Sequence, residues 1–359
     1  MGAWFASLAK ADLGHRCVAG STVQQTRLAL ARSESGFEAL LIAVTGASGY
    51  IGAHCVAHAL KREHAVIAIS TQAVVTATSR VSNALRWQQV GNYADIDVAE
   101  WTERFLGAST VIHAAARVHR RRAQGDDEAM LRDNMQLTAR AARAAAAAGV
   151  RRFVFLSSAA VYGDAGNDAP FDEHSALNPQ SAYARSKFAA EAVLREIGNE
   201  SSMQIVILRP PVVYGVNAPG NLSRLARAVL RGVPLPFARV DNQRSIVAVH
   251  TVASCAVWSA EAAAVDQSVS VWLPCDRQPI STKSMIEALA RGMRVAPKLI
   301  SVPKPLLSLG LRTVGAKRLA LQLLEDWRLD GSALSRAGFE AQVDSEIGLE
   351  LLGRSYNQA

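Results

Sequence analysis

The sequence predicts an α/β fold in which a doubly wound parallel sheet carries helices on both faces and a smaller region follows toward the C-terminus. Three observations carry that prediction. A continuous apolar run, Ala39-Leu40-Leu41-Ile42-Ala43-Val44, has the character of a strand buried on both faces. It leads directly into Gly46-x-x-Gly49-x-x-Gly52, and a helical pattern opens there. Strand-like and helix-like stretches then alternate as far as Arg209, the pattern expected of a parallel sheet.

Taken in order, the helical stretch from Ile51 to Lys61 precedes a strand at Ala65–Ile69, and a further strand at Thr110–Ala114 follows Trp101–Leu106. A helix over Asn134–Ala148 stops at Gly149, a residue suited to the left-handed position after a helix. The strand Arg152–Ser157 comes next. A helix holding Tyr183 and Lys187, which Gly198 is expected to end, leads to the strand Gln204–Arg209. Beyond Pro210-Pro211 the alternation weakens while proline and arginine rise. The predicted division is therefore a sheet-forming domain over 39–216 and a second region over 217–359, with the chain returning to the sheet near 243–275. Residues 1–38, poor in acidic side chains, read as a poorly ordered extension. A translated upstream stretch or a transit-like segment fits the same composition.

At 359 residues, half of them apolar, the chain can build a sizeable core. Lys and Arg number 39 against 31 Asp and Glu, giving a net charge of +8 and a pI near 9.6. That balance suits an anionic ligand such as a nucleotide, or an acidic surface, although an Arg-rich and Ala-rich proteome produces it as well. No basic stripe interleaved with aromatics points to nucleic acid. Cys17, Cys55, Cys255 and Cys275 match neither a metal spacing nor a disulfide framework, which fits a reducing, cytoplasmic setting. His113, His119 and His250 do not form a metal set, so no metal is predicted. Even the alanine tract 141–148 is interrupted by Arg143, and nothing approaches the roughly 20 apolar residues of a membrane span. The segment from Ile300 to Gly315, apolar but broken by Pro303 and Pro305, suits either a core or the neighbourhood of a membrane surface.

Two constellations carry chemistry. The glycines permit a tight turn and a close backbone approach to a pyrophosphate, held by amides at the helix N-terminus. Tyr183 and Lys187, four residues apart, stand on one helical face. A phenol with a pKa of about 10 becomes a base at neutral pH only if lowered by roughly three units, or about 4 kcal/mol. A fixed cation in a low-dielectric cleft can supply that.

With these two motifs in place, the chain resembles an extended short-chain dehydrogenase/reductase of the NAD-dependent epimerase/dehydratase family, from about Leu40 into the C-terminal region. Val111-Ile112-His113-Ala114-Ala115-Ala116 is similar to the family's H-x-A-A segment. Asn134-Met135-Gln136-Leu137-Thr138 resembles its N-x-x-x-T helix start. Leu156-Ser157-Ser158-Ala159-Ala160-Val161-Tyr162-Gly163 resembles SS-x-x-VYG, and Leu208-Arg209-Pro210-Pro211-Val212-Val213-Tyr214-Gly215 resembles LRP-x-x-VYG. The resemblance implies a Rossmann-type sheet with a C-terminal substrate-binding region and a catalytic set of Ser158, Tyr183 and Lys187. It implies a bound NAD, with NADP open, contacted by Gly46, Ser48, Gly49, Tyr50, Ile51, Gly52, Ser70, Ala114, Ala115, Asn134, Tyr183 and Lys187. A UDP-sugar would meet Ser158, Asn221, Leu222 and Arg244, the last on the pyrophosphate. A homodimer, formed by two helices packing across a two-fold axis, is implied on the same basis alone.

Departures from the pattern leave alternatives open. An acidic residue about 20 positions past the glycines usually receives the ribose 2′-hydroxyl, yet Ser70-Thr71 stands there, and Asn92 replaces the adenine-contacting Asp of the family's third-strand motif. Arg80 suits a 2′-phosphate or a solvated loop. Arg117-Val118-His119-Arg120-Arg121-Arg122 suits attraction of a nucleotide sugar or a solvated charge run. The expected activity is 4-epimerisation of a UDP-hexose or UDP-N-acetylhexosamine. Net reduction of a 4-keto-6-deoxy sugar nucleotide and a dinucleotide-binding regulator without turnover are the alternatives. A dehydratase is disfavoured, because no Asp-Glu pair stands around Ser158-Ala159-Ala160.

Overall fold

The computed structural model describes residues 39–72, 84–116, 126–262, 267–313, 317–341 and 343–357. Residues 1–38, Arg80 and the loop from Arg117 to Arg122 lie outside them. In chain order the elements are β1 (Leu41–Thr45), α1 (Tyr50–Lys61), β2 (Ala65–Ser70), β3 (Leu85–Gln89), α2 (Val98–Phe105), β4 (Thr110–His113), α3 (Asp126–Ala147), β5 (Arg152–Leu156), α4 (Ala182–Glu200), β6 (Gln204–Leu208) and β7 (Val212–Tyr214). There follow α5 (Asn221–Leu230), β8 (Ile246–Ala248), α6 (Val249–Glu261), β9 (Val269–Trp272), α7 (Thr282–Met293), α8 (Lys304–Thr313), α9 (Lys317–Leu324), α10 (Ser332–Arg336) and α11 (Ser345–Ser355).

Among the described residues a seven-stranded sheet runs β3-β2-β1-β4-β5-β6-β9, every neighbour parallel. Strand order reverses between β1 and β4, and ligands of such sheets bind at the carboxyl ends beside that switch point. Period-2 alternation divides each strand between two cores. Ile42 and Val44 pack with Cys55 and Val56 of α1 and Val252 and Ala256 of α6. Ala43, Ile67, Phe153 and Phe155 pack with Trp101 of α2, Leu137 and Ala141 of α3, and Leu194 of α4. A third core joins Tyr214, Ile246, Leu289, Leu324 and Leu349, and so unites β7, β8, α7, α9 and α11.

Several sequence expectations are corrected. β3 escapes a pattern search because Leu85-Arg86-Trp87-Gln88-Gln89 is an edge strand with no fully buried side chain. α3 begins at Asp126, so Asn134 lies inside a helix rather than at its start. Gly198 does not end α4, which continues to Glu200. A Cβ at Gly198 would come within 2.9 Å of Ile205 and 3.1 Å of Val269, so this glycine serves the close approach of helix to sheet. Gly149 does take a positive φ, 75°, just beyond α3. Of the segment expected to return to the sheet, β9 pairs with β6, whereas β8 pairs with β7 in a separate two-stranded sheet.

Candidate active site

The loop from Gly46 to Gly52 fits a pyrophosphate because its geometry leaves no room for side chains. A Cβ on Gly46, whose φ is +69°, would stand 2.7 Å from the Ala115 nitrogen, and one on Gly52 would stand 2.2 Å from the Gly46 carbonyl oxygen. Ala114 and Ala115 thus border the cradle directly. Tyr93, unnoticed at the sequence level, braces it: the Gly46 amide donates to the Tyr93 hydroxyl at 2.9 Å, and that hydroxyl donates to the Ile69 carbonyl at 2.9 Å. Neighbouring Asn92 caps the same turn, accepting from the Ala94 amide at 3.2 Å. Ser70, at the end of β2, donates to Ser48 Oγ at 2.6 Å, so a hydroxyl pair stands where NAD-binding folds of this type usually carry a carboxylate. The Ile51 side chain packs against the core, and the Tyr50 hydroxyl lies against Gly215. Gly52→Ala is expected to force the loop open, costing about 1–3 kcal/mol through overpacking. Nicotinamide absorbance retained after purification should fall accordingly; unchanged retention would mean that this cradle is not the dinucleotide site.

Ser158, Tyr183 and Lys187 meet at the carboxyl end of β5. Ser181 caps α4, accepting from the Ala184 amide at 3.1 Å, and so fixes the first turn that presents Tyr183. Ser158 is close enough to the Tyr183 phenol to favour its ionised form, and its Oγ accepts from the Ala160 amide at 3.2 Å. Lys187 is buried. Its Nζ donates to the Leu156 carbonyl at 2.7 Å and stands 4.7 Å from the Phe155 ring centre and 5.9 Å from that of Tyr183. Burial lowers the Lys187 ammonium to about 8, opposed by Glu191. Burial raises Tyr183 above its usual value, and Ser158 is what opposes that rise.

Behind these residues lies a polar network that the sequence did not reveal. Glu191, one turn beyond Lys187, receives Ser157 Oγ at 2.6 Å and Arg209 through Nε at 3.0 Å and Nη2 at 2.6 Å. Arg209 also donates to the Tyr162 hydroxyl at 2.8 Å. Glu191 and Arg209 are fully buried, and each compensates the charge of the other. Asn134 ties α3 to the same helix, donating to Ser186 Oγ at 3.2 Å.

His113 is buried between Thr45 Oγ1 at 2.8 Å and Thr138 Oγ1 at 3.5 Å. Burial, assisted by the Lys187 charge, depresses it to about 3, so the folded ring is neutral. The unfolded chain binds the extra proton between the two pKa values, so stability should fall as pH drops from about 6.5 toward 3, by of order 4–5 kcal/mol in total. Denaturant titrations of His113→Gln should show a shallower acid limb over that window.

Asn221 and Arg244 converge on α9 and the residue that follows it. Asn221 Nδ2 donates to Gln322 Oε1 at 3.4 Å. Arg244 Nη1 donates to the carbonyls of Leu321 at 3.3 Å and Glu325 at 3.0 Å. Burial lowers the Arg244 guanidinium to about 10, with Asp326 and Asp164 acting in the other direction. Leu222 packs into the third core. Arg318 of α9 pairs with Asp164 at 3.0 Å and Trp327 Nε1 donates to the Gly163 carbonyl at 3.1 Å, so this region is docked on the segment that follows Ser158. Among the described residues no group of three His, Cys, Asp or Glu is placed to hold a metal ion.

A glycine loop opening a helix at the switch point of a parallel sheet, with Tyr183 and Lys187 on the helix after β5, is the arrangement of a dinucleotide-binding fold of the short-chain dehydrogenase/reductase type. The comparisons make this specific. The model of the NAD dependent epimerase/dehydratase family matches residues 42–271, and the chain belongs to that family. It is 33% identical over 272 residues to UDP-glucose 4-epimerase of Vibrio cholerae, covering 73% of this chain and 78% of the relative. It is 24% identical over 216 residues to N-acetyl-alpha-D-glucosaminyl-diphospho-ditrans,octacis-undecaprenol 4-epimerase of Escherichia coli O157:H7, covering 56% and 64%. The fold is shared with the UDP-glucose 4-epimerase of Thermus thermophilus, solved in complex with NAD, at a TM-score of 0.69 and 22% identity, covering 89% and 100%.

Proposed function

We propose that the chain interconverts the C4 epimers of a UDP-hexose or UDP-N-acetylhexosamine on a retained NAD. The observation that carries the reading is the Tyr183 ring standing 5.9 Å from the ammonium of the buried Lys187, with Ser158 lowering its phenol against the effect of burial. Bound NAD would supply the acceptor and return donor for the C4 hydride. Tyr183 takes the 4-hydroxyl proton and later returns it, while Ser158 holds that oxygen in line. Lys187 adds the positive charge that stabilises the phenolate, and an ammonium has three donors, so its bond to Leu156 leaves capacity for ribose hydroxyls. In the same reading Gly46, Ser48, Gly49, Tyr50, Ile51, Gly52, Ser70, Ala114, Ala115 and Asn134 form the cofactor surface. Asn221, Leu222 and Arg244 hold the uridine diphosphate, the last through guanidinium contacts to phosphate. The dimer would pack α3 and α4 across a two-fold axis, where Phe188 is exposed on α4.

One observation favours a second reading. The Ser70–Ser48 pair puts no carboxylate beside the 2′-position, so a 2′-phosphate would meet no opposing charge, and an NADPH-dependent reduction of a 4-keto-6-deoxy sugar nucleotide follows from the same centre. The test is turnover without added cofactor. UDP-galactose or UDP-N-acetylgalactosamine converted by the purified protein alone, with stoichiometric NAD released on denaturation, supports epimerisation. NADPH consumed one for one with a 4-keto substrate overturns it.

A further inference from the structure

Two stretches toward the C-terminus are rich in basic residues. Residues 217–240 and 288–324 together carry eleven Lys and Arg and no Asp or Glu, against a net charge of +8 for the whole chain. Arg224, Arg227 and Arg231 stand at helical spacing along α5 and its end, and are exposed. With Ala228 and Val233 they line a shallow groove of about 430 Å³. The chain leaving α5 then pairs with the lead-in to α8. The Leu235 amide donates to the Lys298 carbonyl at 2.8 Å, and the Ile300 amide donates to the Leu235 carbonyl at 2.8 Å. The chain leaving the basic stripe therefore runs beside Lys298 and Ile300, the segment that leads into α8.

Apolar side chains on the same segments are exposed among the described residues. α8 turns Leu307 and Leu311 into the third core, yet Leu306 and Leu309, on a different face, are 62% and 60% exposed. Leu230, Val233 and Ile300 are also exposed and border the arginine stripe. A soluble anionic nucleotide would account for the charges but gives exposed leucines nothing to bury against. A second copy of the same face would bring like charges together. Nucleic acid would call for aromatic platforms, and the patch has none.

We propose that this face, comprising the Arg224/Arg227/Arg231 stripe with Leu306 and Leu309 of α8, docks the enzyme on an anionic lipid bilayer. The leucines enter the headgroup boundary and the basic side chains meet the lipid phosphates, the combination by which amphipathic surfaces lie on membranes. No helix among the described residues is long and apolar enough to cross one, so the attachment is peripheral. Lys304, paired with Glu325 at 3.0 Å, borders the patch but contributes less net charge to it.

Co-sedimentation of the full chain with vesicles of phosphatidylethanolamine and phosphatidylglycerol, against vesicles of phosphatidylcholine, tests the assignment. Binding is expected to the anionic vesicles only and to weaken at high salt. Leu306→Glu with Leu309→Glu, and separately Arg231→Glu with Lys298→Glu, should each reduce it by about tenfold or more. Circular dichroism and turnover of a soluble substrate should stay at the parent level. Absence of binding, equal binding to neutral vesicles, or full binding by both variants overturns the proposal. So does a parent dimer that the leucine variant converts to monomer, because a second copy would then cover the face.

Discussion

Replacing Tyr183 by Phe should lower kcat by about 10³ and leave KM within a few-fold of the parent value, as removal of a positioned general acid–base does. The substitution deletes one oxygen, the one whose ionised form Ser158 favours, and leaves the apolar ring in its place. Steady-state kinetics of conversion in both directions reads the effect. Because burial holds the phenol above its usual value, the parent should gain its proton-accepting form only when cofactor is bound. Tyrosinate absorbance in a pH titration should therefore appear at lower pH for the cofactor-loaded protein than for protein stripped of cofactor. Parent-level turnover by Tyr183→Phe would remove the phenol from the chemistry and favour a binding role without catalysis.

Replacing Glu191 by Gln should cost about 3–5 kcal/mol of stability, because Arg209 would remain charged and buried without its counter-ion. Arg195, which reaches Glu191 at 3.3 Å from a more exposed position, cannot compensate. Thermal and denaturant unfolding measure the loss. The double replacement Glu191→Leu with Arg209→Met, removing both charges, should recover most of it, and failure to recover would mean that the hydrogen bonds to Ser157 and Tyr162 dominate. Glu191 also raises the pKa of Lys187. In Glu191→Gln the alkaline limb of the activity profile should therefore begin at lower pH, a change that destabilisation alone would not produce.

The strands that build the middle of the sheet were legible because they are buried on both faces and carry unbroken apolar runs, as Leu41–Thr45 and Gln204–Leu208 do. Leu85–Gln89 was not, since an edge strand exposes its side chains and loses the pattern. Gly198 misled because glycine serves two purposes, ending helices and allowing close packing, and only the neighbouring Ile205 and Val269 separate them. The Tyr183–Lys187 pair was legible through local spacing, and Ser158 only through the motif that resembles the family's. Tyr93, Ser157, Glu191 and Arg209 were not, because each finds its partner on an element distant in sequence.

What the sequence determined by itself was the parallel α/β class, the glycine loop and the four-residue spacing of Tyr183 and Lys187, all written in periodicities and spacings within single elements, whereas Ser158 entered only through resemblance to the family. What only the tertiary structure decided was the electrostatic state of those residues: Tyr183 raised and Lys187 lowered by burial, and Glu191 matched to Arg209. The reason is desolvation, which depends on everything packed around a group and on no single stretch of chain.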